Sequence, residues 1–182
     1  SSVTNYFEIL VDTLMGLFLP AWTPRLKVKE RAHPKFYFFD TGVVRAIQGK
    51  LHDKPSDIEK GILLETYLLH ELRAYISYYN LGGNLSFWRT HDDVEIDFIW
   101  KRGTRLVAIE VKASKVWKHS FETGIKSFLS GGIKNAAIDK STSMNFYGVY
   151  LGEEKLKKEW GLILPVKDFL RNLYAGKIIA AA

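Results

Sequence analysis

The chain has 182 residues, 47% of them apolar, and a formal net charge of +6. This suffices for one ordinary domain with a small appendage, and it excludes global disorder. The absence of Cys excludes a disulfide framework, thiol catalysis and Cys-ligated zinc and fits a reducing cytoplasm; no apolar run reaches the roughly 18 residues of a membrane span, and the basic balance permits a polyanionic partner without identifying one.

The start, Ser1-Ser2, carries no Met and no signal-peptide pattern, and reads as the edge of a piece of a longer protein. Phe7, Leu10, Val11 and Leu14 recur at helical spacing and predict a helix over 4–15, stopped by Gly16 and Pro20. Arg25 to Arg31 alternates with period two, which predicts a strand with one basic face. That face suits either phosphates or the protection of a solvated sheet edge. Phe36 to Phe39 reads as a buried strand, and Asp40 as the N-cap of a short helix over 43–48. These elements make an N-terminal helix and β extension, winged-helix-like, over 1–52, and the main domain occupies 53–182.

Ser56-Asp57-Ile58-Glu59 has the form of a capping box and opens a long helix to about Tyr79. At 100° per residue, Ile58, Ile62, Leu64, Leu68, Leu69, Leu72, Tyr75 and Ile76 fall within an arc of about 160°. Glu65 lies about 20° from the centre of that arc, and Glu71 about 100° away at its rim. An acid in the middle of an apolar face needs a partner. The sequence leaves open an ion pair, for example with Arg89, or a place in a metal site. Gly61, one turn earlier, is expected to let the helix approach the sheet closely.

Three strands are predicted next, over 85–90, 94–100 and 105–113, the last two joined by a tight hairpin at Lys101 to Thr104. Period-two alternation puts Glu110 and Lys112 on one face and Val107, Ile109 and Val111 on the other. With a turn at Arg102-Gly103, Asp97 lies opposite Ala108 and diagonal to Glu110; a two-residue shift brings it directly opposite Glu110. Either register puts Asp97, Glu110 and Lys112 on a common face. Two such carboxylates repel unless a divalent cation, Mg²⁺ or Mn²⁺ for hard oxygen ligands, lies between them. The alternative is a cross-strand salt bridge from Lys112 to Asp97 or Glu95. A helix over 120–129, strands over 136–138 and 146–151, and a helix over 165–174 complete the reading. The order suggests an α/β (α+β) domain with a mixed central sheet flanked by helices. Lys115, Lys118 and Lys126, with Trp117, follow the Glu-x-Lys strand and suit either a DNA-binding groove or a solvated face. Lys155, Lys157 and Lys158 read as solvated. The five His residues show no metal-ligand spacing.

Gly61-Ile62-Leu63-Leu64-Glu65, Val94-Glu95-Ile96-Asp97 and Ile109-Glu110-Val111-Lys112 together resemble the PD-(D/E)xK nuclease superfamily, whose fold is restriction-endonuclease-like. The resemblance implies Glu65 as the helix carboxylate, Asp97 and Glu110 as metal ligands with the Val111 carbonyl, and Lys112 as the motif lysine. Ile96 stands where the family's motif has proline. Tyr6 to Leu10, Pro34 to Gly42, Phe87 to Thr90 and Glu95 to Phe98 resemble the C-terminal domain of prokaryotic AAA-type ATPases. The chain contains no phosphate-loop motif, so that resemblance puts ATP on an upstream module. The leading expectation is a Mg²⁺- or Mn²⁺-dependent, DNA-binding nuclease domain of such an ATPase, with Arg89, Lys115 and Lys118 toward nucleic acid and Glu71 as an alternative acid. Two others stay open: an inactive nuclease-fold module that recognises nucleic acid or protein, and a domain that drives homo-oligomerisation.

Overall fold

A computed structural model describes residues 2–22, 33–132, 138 and 141–180 of the chain. The basic strand expected over 25–31, and all but Ile138 of the one expected over 136–138, lie outside the described residues.

The N-terminal unit comprises α1 (Ser2–Asp12), a two-stranded antiparallel sheet of β1 (Gly16–Leu19) and β2 (Lys35–Phe38), and α2 (Thr41–Ile47). Asp40 caps α2 as expected, its carboxylate accepting the Val43 N–H at 2.8 Å. Phe7, Phe18, Phe36 and Phe38 pack edge-on or tilted into a satellite cluster.

The capping box also holds. Ser56 accepts the Glu59 N–H at 3.2 Å and opens α3 (Asp57–Tyr78). At its far end Asn80 adopts φ 50°, and the Leu81 N–H returns to the Ile76 carbonyl at 2.9 Å, a left-handed C-cap sealed by buried Leu81. Then come β3 (Asn84–Arg89), β4 (Glu95–Arg102) and β5 (Arg105–Lys112). A 3₁₀ turn (His119–Glu122), α4 (Thr123–Ser127) and a π turn (Phe128–Gly132) replace the single helix expected over 120–129. The chain closes with β6 (Ser143–Tyr150), β7 (Leu156–Lys158), β8 (Gly161–Pro165) and α5 (Val166–Tyr174). The sequence reading missed β1, β7 and β8, which are short and lack a clear alternation.

Strands β3 to β8 form one open mixed sheet in the order β3-β4-β5-β6-β8-β7, with β5-β6 and β6-β8 parallel and the other pairs antiparallel. The mixed α/β architecture is the expected one. Helices α3 and α5 cover one face with Leu68, Leu69, Leu72 and Phe169 against Phe98, Trp100, Ile109 and Val149. On the other face Ile125 and Phe128 meet Ile96, Ile99, Ala108 and Phe146. Both faces of β5 are therefore buried. The N-terminal unit joins the α3-side core through Leu19 and Tyr37, and its chain covers the β3 edge, where the Trp22 N–H donates to the Phe87 carbonyl at 2.6 Å and the Phe87 N–H to the Pro20 carbonyl at 3.0 Å.

Two helix expectations change. Ile58 and Ile62 stand 81% and 59% exposed, outside the core that the helical arc assigned them to. Gly61 has open space where a Cβ would be, so no close approach to the sheet requires it.

Candidate functional site

The hairpin turn falls at Gly103-Thr104, with Arg102 facing Arg105, and the ladder runs to Phe98 facing Ile109. One step further brings Asp97 opposite Glu110, the shifted register rather than the one drawn from a turn at Arg102-Gly103. The strand is irregular at this point, however. Along β3 and β4, Ser86 pairs with Ile99 but Trp88 with Ile96, so three steps on β4 answer two on β3. The extra residue is a β-bulge. Ile96 and Ile99 point to the α4 side and Phe98 to the α3 side. Asp97 turns with Phe98 toward α3, where it meets the side chains around Glu65. Glu110 keeps the parity of Leu106 and Ala108, and its Oε2 lies 3.4 Å from where a Cβ on Gly124 of α4 would be.

Three carboxylates on the α3 side surround one ammonium. Lys35 Nζ of β2 lies 2.9 Å from Glu65 Oε1, 2.9 Å from Glu95 Oε1 and 4.0 Å from Asp97 Oδ1. The Tyr37 hydroxyl, two residues on and so on the same side of β2, donates to Glu65 Oε1. Glu95 also accepts from Arg89, Nε at 2.8 Å and Nη2 at 2.6 Å. The partner of Glu65 is thus Lys35, and Arg89 serves Glu95. Burial alone would push the Lys35 ammonium down, but Glu65, Asp97 and Glu95 outweigh it and hold its pKa above the ordinary lysine value. Burial pushes Tyr37 up, and Glu65 pushes it further. Glu95 falls below the usual carboxylate range because Lys35 and Arg89 overcome its burial.

Asp97 is 4% exposed, and its Oδ2 accepts the Val111 N–H at 2.7 Å. Burial and then Glu65 push its pKa up to about 6, against the pull of Lys112, Lys35 and that N–H. Glu110 is 3% exposed; burial and then Asp97 drive it well above the ordinary range, although Lys112 Nζ is 2.5 Å from its Oε1. Its Oε2 is buried without a hydrogen-bond partner. Lys112 therefore pairs with Glu110, not with Asp97 or Glu95.

A cleft of about 370 Å³ opens over this arrangement, lined among others by Ile58, Gly61, Glu65, Asp97, Lys112 and Phe121. Lys35 does not line it. It reaches Glu65 and Glu95 from a neighbouring, more apolar cavity of about 460 Å³ between β2, α2 and α3. Of the residues expected from sequence, Glu65, Asp97, Val111 and Lys112 come together at the cleft, with Glu110 beneath it. Arg89 lines the neighbouring cavity. Lys118 Nζ lies 6.0 Å from the Phe121 ring, Lys115 lines a separate hollow with Trp117, and Glu71 accepts from the Tyr174 hydroxyl at 2.8 Å, toward α5. Sequence reasoning missed Lys35 and Tyr37. Their signal was a lysine in period-two step with a tyrosine on a strand otherwise made of phenylalanine.

As folded, the acids already have partners that occupy most of their oxygens, and Glu110 Oε2 is the buried oxygen left over. Lys35 lies against Glu65 and Glu95, one Asp97 oxygen accepts a backbone N–H, and Lys112 holds Glu110 Oε1. Among the described residues no three His, Cys, Asp or Glu side chains converge as a metal-holding group.

Residues 60–169 match a family described as a domain of unknown function (DUF4143). The chain belongs to the DUF4143 family. Residues 1–54 match a second domain of unknown function (DUF8612). Uncharacterized proteins of Mycobacterium bovis and Mycobacterium tuberculosis are each 26% identical over 115 residues, which is 62% of this chain and 25% of the relative. The chain thus spans about a quarter of the length of these relatives. No solved structure is significantly similar to it. The two matched stretches divide the site: Glu65, Glu95, Asp97, Glu110 and Lys112 lie in the DUF4143 stretch, and Lys35 and Tyr37 in the stretch before it. No helix among the described residues is long and apolar enough to cross a membrane.

Proposed function

We propose that this chain is a nuclease-fold interaction module, the C-terminal domain of an AAA-type ATPase, which binds a nucleic-acid backbone and, with β2 in place, does not cut it. One observation carries this reading: Lys35 brings positive charge to Glu65, Glu95 and Asp97 at 2.9, 2.9 and 4.0 Å, with Arg89 also on Glu95. A buried or half-buried acid cluster needs a cation. In a metal-dependent phosphodiesterase that cation is the ion; here it is a lysine from the preceding unit. The resemblance of the Glu65, Asp97 and Glu110-Val111-Lys112 motifs to the PD-(D/E)xK pattern supports the nuclease-fold part, and the net charge of +6 is compatible with a polyanionic partner.

The test is incubation of the chain with supercoiled plasmid in Mg²⁺ and in Mn²⁺. The plasmid stays intact. Nicking by the wild type that disappears in both Asp97→Asn and Lys112→Ala would overturn the reading.

A second reading keeps catalysis. Glu110 Oε2 is buried without a partner and Lys112 stands beside it, an arrangement that suits a nuclease whose Mg²⁺ or Mn²⁺ binds only after Lys35 withdraws. Metal-dependent nicking by Lys35→Met, absent from the wild type, would favour it.

A further inference from the structure

The α4 side of the sheet holds a second charged cluster that the cleft does not use. Glu122, at the end of the 3₁₀ turn, is 2% exposed. Its Oε2 lies 3.0 Å from Lys126 Nζ and accepts the Trp160 indole N–H at 3.2 Å, while Oε1 lies 3.2 Å from Lys158 Nζ of β7. His119 adds Nδ1 at 3.6 Å from Oε2, and its Nε2 is 3.0 Å from Lys126 Nζ. Although burial works the other way, the donors from Lys126, Trp160 and Lys158 hold Glu122 down at about 2. One buried carboxylate thus anchors two lysines whose side chains remain 45% and 35% exposed. Two ammonium groups against one carboxylate leave surplus positive charge on the outer side.

We propose that Lys126 and Lys158, positioned by Glu122, form a clamp for a phosphodiester of a nucleic-acid backbone. This assignment rests on the nucleic-acid reading above and gives it a place. The polymer is favoured over a lone phosphate because the positive charge extends beyond the pair: Lys118 Nζ lies 6.0 Å from the ring of Phe121, the residue before Glu122. Buried Glu122, itself held by the Trp160 indole N–H, fixes the lysine heads on one side, so less side-chain freedom is lost when a phosphate is bound.

The probe is a fluorescein-labelled DNA duplex of about two helical turns, titrated with the full chain at several salt concentrations. Lys126→Gln with Lys158→Gln keeps an amide donor for Glu122 while removing both charges. It should weaken binding about tenfold and lower the slope of log K against log salt by about 0.9 for each phosphate no longer neutralised. Lys101→Ala, at the far hairpin end of β4, should change neither. Glu122→Gln separates positioning from bulk charge: it raises the net charge by one, so an unstructured basic patch would gain affinity, whereas a clamp that loses its anchor binds more weakly. An unchanged affinity and slope in the double variant overturns the clamp and leaves the module reading standing. No DNA binding by the wild type overturns both. Displacement by inorganic phosphate, at concentrations too low to act as salt, reassigns the site to a small phosphorylated ligand and overturns the polymer.

Discussion

Replacing Lys35 by Met keeps a side chain of nearly the same length, removes its charge and leaves Glu65, Glu95 and Asp97 facing one another. The side chains of Lys35, Glu65, Glu95 and Asp97 are 17%, 22%, 27% and 6% exposed, so water only partly compensates. Breaking a buried ion pair costs about 3–5 kcal/mol. The partial exposure of two of the acids, and the option of taking up a proton, put this case at about 3 kcal/mol. For a chain of this size that is a Tm lower by about 6–12 °C near neutral pH. The loss should shrink in mild acid, where the acids protonate and no longer need the lysine. Divalent metal gives the second readout. With Lys35 gone, Mn²⁺ at about a hundred times its Kd would restore about 2.7 kcal/mol, while the wild type, already neutralised, should not respond. Thermal melting of both proteins with and without Mn²⁺ measures all of this. A Lys35→Met protein as stable as wild type would refute the reasoning, as would an equal rise in Tm with Mn²⁺ in the two proteins.

Asp97→Asn tests the raised pKa of that carboxyl. A folded-state value of about 6, above the unfolded value, means the native state holds the extra proton, so stability is fully present below about pH 4 and declines as pH rises through about 6. Asn can still accept the Val111 N–H, so the variant should be more stable than wild type near pH 8 and indistinguishable near pH 4 in paired urea melts; a gain confined to acid would contradict the sign. Gly124→Ala would put a Cβ 2.0 Å from the Glu95 carbonyl oxygen, forcing α4 off the start of β4; a loss of about 1–3 kcal/mol in chemical denaturation is expected. Ser56→Ala removes the α3 cap and should cost about 1 kcal/mol by the same assay, leaving DNA affinity unchanged.

The cap at Ser56, the hairpin and the mixed sheet were legible because each depends on neighbours in sequence: a capping pattern, a turn, or a strand period; Glu65 was brought to Asp97 only by the resemblance of their motifs. What was not legible depends on a defect in a period or on a distant segment. The bulge at Asp97 adds one residue to β4, and a pattern of strict alternation has no means of marking where. It turns the Asp97 side chain toward Lys35 and Glu65, while Asp97 and Glu110 still act on each other. Ile58 and Ile62 show the same limit on a helix. They line the open cleft over β4 and β5 instead of a packed core, and periodicity does not say where a cleft replaces the core.

Lys35 is the sharpest instance, because its role is fixed by tertiary contact alone: thirty residues separate it from Glu65 and sixty from Glu95. It also explains how the acids are tolerated. An acid near the middle of an apolar helix face is a local conflict, and such conflicts persist where something else resolves them. Here the resolution arrives on β2, whose Tyr37 is both a member of the α3-side core and the hydrogen-bond donor to Glu65. Docking of the N-terminal unit and neutralisation of the acids are therefore one event. Whatever draws β2 away from α3 must also leave Glu65 without its cation and Glu95 with Arg89 alone, so the state of the cleft is tied to the position of the preceding unit.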